Sequence, residues 1–165
     1  MKLATVTLLF FTRRSLSVGG LFLLFTLPQA HAQCTEMQLN TLQVVQKSDP
    51  ASKESEILKL GFDLSSEQGT GAANVRKFVK CWNSNGPKGK SYFDQVVLWH
   101  TNTNTITFLT LDDTAFGHLR KSVEERHPGS AGQQTVYGKM FRYTFVTQDV
   151  SGRVYQGLMV TLRNQ

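Results

Sequence analysis

The sequence predicts an α+β fold, an antiparallel sheet of five to six strands with helices packed on one face. Three observations lead there. Residues 93–111 (FDQVVLWHTNTNTITFLTL) form two apolar runs around a polar turn, a hairpin signal. Residues 136–163 repeat the device around Asp149-Val150-Ser151-Gly152. Between the two long hairpins, residues 114–126 (TAFGHLRKSVEER) carry the apolar spacing of an amphipathic helix.

In chain order, the 165 residues open on a leader. Lys2, Arg13 and Arg14 precede an apolar run at 16–27, Pro28 breaks it, and Ala30-His31-Ala32 supplies a small-residue cleavage pattern. This is the grammar of a secretory signal peptide over residues 1–32. The run is too short to cross a hydrocarbon core of ~30 Å as a helix. Arg13-Arg14 resembles part of a twin-arginine signal, but an apolar stretch before the arginines favours ordinary secretion. The residues then point to an exported protein, periplasmic or extracellular, with a single α+β domain over 33–165. Without Lys2, Arg13 and Arg14 the 18 basic residues fall to 15 against 12 acidic ones, so the mature charge is +3 rather than +6.

Both cysteines, Cys34 and Cys81, lie in the exported part, where one disulfide is their simplest state. Neither has a histidine close in sequence to activate it as a nucleophile. Residues 35–47 predict a helix with Met37, Thr41, Val44 and Val45 on its inner face, stopped by Asp49-Pro50. A second short helix follows at 52–60, with Ile57, Leu58 and Leu60 apolar and Gly61 as its stop. Phe62-Asp63-Leu64 alternates briefly as a strand. Residues 65–73 (SSEQGTGAA) are a loop, since GTG lacks the strand, helix and Lys-Ser/Thr context of a phosphate cradle.

Residues 74–82 (NVRKFVKCW) fit two patterns. Val75, Phe78, Val79 and Trp82 match helical spacing, yet β-branched and aromatic residues in β-rich surroundings favour a strand. Residues 83–90 are a loop. In the first hairpin Phe93, Gln95, Val97 and Trp99 point one way, and Val96, Leu98 and His100 the other. Both sides are largely apolar, so both faces need cover. The helix at 114–126, started by Asp112 and Asp113, brings Ala115, Phe116, Leu119 and Val123 as its inner stripe. Residues 133–148 read as one long strand with Tyr137, Phe141, Tyr143 and Phe145 together, and 153–163 return with Val154, Leu158, Val160 and Leu162. This layout of short helices, two hairpins and one intervening helix resembles small exported proteins with cystatin-like or nuclear-transport-factor-like curved sheets. The resemblance lies in layout and carries no residue roles over.

Chemistry is thinly signalled. His100, His118 and His127 are far apart, with no partner at zinc-ligand spacing, and no cofactor is implied. Asp112-Asp113 fits helix capping better than half of a catalytic carboxylate pair. Arg76, Phe78, Lys80, Trp82, Lys88 and Lys90 interleave basic and aromatic side chains, as a stacking platform does. Export points such a patch to an anionic envelope or glycan surface, or to another exported protein, rather than to intracellular nucleic acid. A solvated edge strand guarded by lysines has the same look. The expected function is a non-catalytic binding or interaction module. The alternatives are a secreted hydrolase using His118 or His100 with carboxylates, and an envelope-associated structural protein with a basic patch.

Overall fold

A computed structural model describes residues 34–68, 74–84 and 91–163. The predicted leader, residues 69–73 and residues 85–90 lie outside them. In chain order the elements are α1 (Leu39–Lys47), α2 (Pro50–Lys59), β1 (Asp63–Gln68), β2 (Val75–Asn83), β3 (Tyr92–His100), β4 (Thr105–Thr110), α3 (Asp113–Arg126), β5 (Thr135–Tyr137), β6 (Phe141–Val150) and β7 (Arg153–Leu162). The strands form one antiparallel sheet in the order β1-β2-β3-β4-β7-β6-β5. The stretch that fitted two patterns is thus strand, over Val75–Asn83.

The sheet has seven strands where five to six were expected, for two reasons. The segment beginning at Asp63 is a full strand paired along β2. The expected long strand at 133–148 breaks at Gly138, whose N–H donates to the Phe141 carbonyl at 2.8 Å and turns β5 back onto β6. Tyr137 consequently leaves the predicted apolar row and is exposed, while Val136 is buried.

One sheet face carries the helices and the main core. Phe78, Val97, Trp99, Ile106, Phe108 and Leu158 meet α1, α2 and α3 there. Each such side chain contributes about 1.5–3 kcal/mol on full burial. The inner stripe of α3 is the expected one, Ala115, Phe116, Leu119 and Val123, and Asp112 caps it by accepting from Thr114 N at 2.8 Å and Ala115 N at 3.1 Å. The phase of α1 differs from expectation: Leu39, Leu42, Val45 and Gln46 are buried, and Val44 is exposed. Gln46 decides this. Its side chain donates to the Asn104 carbonyl and accepts from Ile106 N at 3.1 Å, docking α1 on β4. In α2, Pro50 opens the helix at its first turn with Asp49 as cap, rather than merely ending α1. Leu58 is exposed there, and Gly61 provides the left-handed stop at φ +81°.

Lys53 is fully buried between these helices. Its Nζ donates to the carbonyls of Val45 (2.8 Å) and Gln46 (2.7 Å), closing the C-terminal turn of α1. Burial pulls its pKa down from 10.5 to about 8, against the attraction of Asp49. Between those values the unfolded chain holds a proton that the folded chain has lost, so stability should rise with pH from about 8. The Tyr143 and Tyr155 phenols are pushed up from 10.0, chiefly by burial. They retain protons the unfolded chain releases, so stability should fall once pH passes 10. Urea unfolding at stepped pH is expected to show a maximum near pH 10, and Lys53→Met should lose the rise below it. A flat profile from pH 8 to 10 in the native protein would contradict this account.

The opposite face has no helix among the described residues, yet it is not bare. Val79, Val96, Leu98, Leu109 and Tyr155 form a second apolar cluster, packed with Phe93, Val146 and Val150. Its cover is the β6–β7 hairpin itself. The two-residue turn Ser151-Gly152, at φ +58° and +79°, has the mirror-image geometry that matches the twist of long hairpins. Tyr155 Oη donates to the Phe93 carbonyl at 2.6 Å, tying β7 to β3 past the end of β4. Both faces of the first hairpin are thus covered, one by helices and one by the curl of the sheet.

Candidate functional site

The disulfide joins Cys34 to Cys81 with Cα atoms 5.9 Å apart. It fixes residues 34–38 against β2, with Met37 in the core and the Thr35 carbonyl accepting from Gln95 Nε2 at 3.2 Å.

The basic stripe on β2 is not an open platform. Phe78 is wholly buried in the helix-side core. Arg76 pairs with Glu54 of α2 and lies 5.8 Å from the Trp99 ring centroid. Lys80 Nζ donates to the Leu60 carbonyl at 2.8 Å and sits over Phe62. These three share the face that receives α2, so alternation on the strand turns them inward. Of the stripe's described members only Trp82 exposes its ring, edge-on to Phe93 at 4.9 Å. Lys88 and Lys90 lie outside the described residues.

The histidines occupy three different settings. His127 ends α3 and rests at 5.5 Å from the Tyr143 ring. His100, half-buried, lines a recess of about 250 Å³ under the hairpin with Asp149. Burial holds its pKa below the usual 6.5, so protonation should weaken the fold as pH falls through that range. His118 is exposed, and its Nδ1 lies 2.7 Å from Glu36 Oε1. The pair borders a polar cleft of about 240 Å³ that also includes Ser122, Arg126 and the start of α1. Ser122 follows His118 by four residues, one helical turn, but nothing local in the sequence hints at Glu36, 82 residues away. Among the described residues no cluster of three or more His, Cys, Asp or Glu could hold a metal. Asp112 is spent on capping, and Asp113 accepts from Gln156 Nε2 at 2.7 Å.

A larger opening lies on the helix-free face. It encloses about 380 Å³ beneath the β6–β7 turn. Phe93, Val96 and Val150 form its apolar wall, and Lys77 and Arg153 its basic groups. The Arg153 guanidinium lies 3.6 Å from the centroid of the Tyr92 ring. Lys77 also borders the His100 recess, so the two hollows adjoin along one cation. Sequence reasoning grouped neither Lys77 with Arg153 nor Tyr92 with Tyr155, because the hairpin fold-over that joins them leaves no local pattern.

No family model, curated protein or solved structure matches this chain. The site is therefore read from its own residues. No helix among the described residues is long and apolar enough to cross a membrane.

Proposed function

We propose that the chain is an exported binding module, released after Ala32, whose ligand seat is the cavity on the helix-free face. The cavity itself supports this reading most. An apolar cluster folded only for stability would close, because unfilled apolar volume costs free energy. Here the hollow persists at about 380 Å³, within the size range of small-molecule sites. The leader grammar and the Cys34–Cys81 disulfide support export.

Fluorescence titration with 1-aminonaphthalene, a neutral apolar probe, tests the seat. One probe should bind per chain, and Val150→Trp should weaken binding roughly tenfold by filling the hollow with side chain. Equal binding by the variant, or none by the native protein, removes the reading. Intact mass of the exported protein should begin at Gln33; a retained leader removes the export part.

The His118–Glu36 contact favours a second reading, a hydrolase. A carboxylate on Nδ1 would orient the ring and leave Nε2 to act as base toward a group near Ser122. Turnover of p-nitrophenyl esters that falls by about 10²-fold in His118→Ala would favour it. Absence of turnover leaves the binding module.

A further inference from the structure

We propose that the cavity takes an amphipathic monoanion: a single carboxylate on an apolar body of roughly ten heavy atoms. This rests on the binding reading above and names its ligand class. Charge comes first. Lys77 and Arg153 both line the cavity, and among the described residues no Asp or Glu does. The nearby acids are otherwise placed. Asp149 borders the adjoining recess, and its Oδ1 accepts the Gly152 N–H at 2.9 Å within the turn. Asp94 lies close enough to raise the Tyr155 phenol pKa but is not part of the cavity wall.

The state of the two cations comes second. Arg153 is stacked on Tyr92 and makes no ion pair among the described residues. A guanidinium held over a ring face by its π contact spends no N–H on an anion there, and its N–H edge can take a carboxylate with two parallel bonds. Lys77 is half-buried and also makes no hydrogen bond or ion pair among the described residues. A partly desolvated ammonium lacking a partner is unfavourable, and a ligand carboxylate would remove that cost. Size comes third. At about 30 Å³ per water-sized group, a cavity of about 380 Å³ holds roughly a dozen such groups, enough for one short acyl chain or one ring system with its head. Phe93, Val96 and Val150 offer that body only apolar contact.

Calorimetry on the full oxidised chain with octanoate, 1-octanol and octyltrimethylammonium separates the possibilities, because the three share one tail. Octanoate should bind one per chain and about tenfold tighter than octanol, the scale of a charge-assisted hydrogen bond. The variant Lys77→Met/Arg153→Met should bind octanoate no better than octanol, with its melting curve confirming a folded protein. If octanol or the ammonium binds as tightly as octanoate, or the double variant keeps the preference, the anion inference is overturned while the cavity reading stands. If none of the three binds, both fall.

Discussion

Replacing Gly157 by alanine should destabilise the protein by about 3 kcal/mol or more, the upper range for forcing volume into packed structure. Gly157 sits in β7 with Leu109 of β4 on one side and Val146 of β6 on the other. A Cβ there would stand 2.1 Å from the Phe108 carbonyl oxygen, 2.7 Å from Leu109 Cδ2 and 3.0 Å from Leu109 Cα. Two of those three are backbone atoms, which cannot rotate away. The position lies two residues after Tyr155 and shares its face, so the missing side chain leaves room for Leu109 in the second apolar cluster. The same substitution should therefore loosen the cavity as well as the fold. Gly117 is the control: nothing lies within 4 Å of its Cβ position in α3, and Gly117→Ala should stabilise by up to about 1 kcal/mol through helix propensity. Urea unfolding of both variants measures this. A loss below 1 kcal/mol for Gly157→Ala would mean that β4 and β7 can separate freely, which their register does not allow.

Removal of the disulfide should be of similar size. Cys34 and Cys81 are 47 residues apart, and closing a loop of that length restricts the unfolded chain by about 4 kcal/mol in the chain-entropy model. One local effect offsets part of it. Cys81 holds φ at +63°, a conformation that costs a non-glycine residue about 1 kcal/mol or more. Cys34→Ser/Cys81→Ser frees it to relax. The net expected loss is about 2–4 kcal/mol. The damage should start at residues 34–38, where Met37 leaves the core and Glu36 leaves His118. Limited proteolysis below the melting transition should cut there first. An unchanged urea midpoint in the double serine variant would show that the non-covalent contacts of residues 34–38 suffice.

The parts of this architecture legible in the sequence are the local ones. The β3–β4 hairpin, the stripe of α3 and the Asp112 cap follow from alternation, helical spacing and one acidic residue before an apolar run. The demand for cover on both faces of β3 was also legible, because Val96 and Leu98 are as apolar as Val97 and Trp99. What covers the second face was not. That depends on Tyr155 reaching the Phe93 carbonyl 62 residues away and on the room left at Gly157. The phase of α1 escaped for a related reason. Periodicity ranked Val44 as inner, but the hydrogen bonds of Gln46 to β4 rotate the helix and leave Val44 in solvent. The break at Gly138 escaped because Tyr137, Phe141, Tyr143 and Phe145 suggested one continuous row. The basic stripe misled because Arg76 and Lys80 bury their stems against Trp99 and Phe62 and spend their charges on α2. The structure instead brings together residues that no local pattern joins: Lys77 with Arg153, and Glu36 with His118.

Amide chemical-shift mapping with octanoate tests the central claim, that the helix-free hollow is the ligand seat. The account predicts shifts concentrated at Tyr92, Phe93 and Val96 and across the turn from Val150 to Tyr155. Shifts concentrated instead at Glu36, Asn40, His118 and Ser122 would contradict it, placing the ligand in the cleft beside the His118–Glu36 pair.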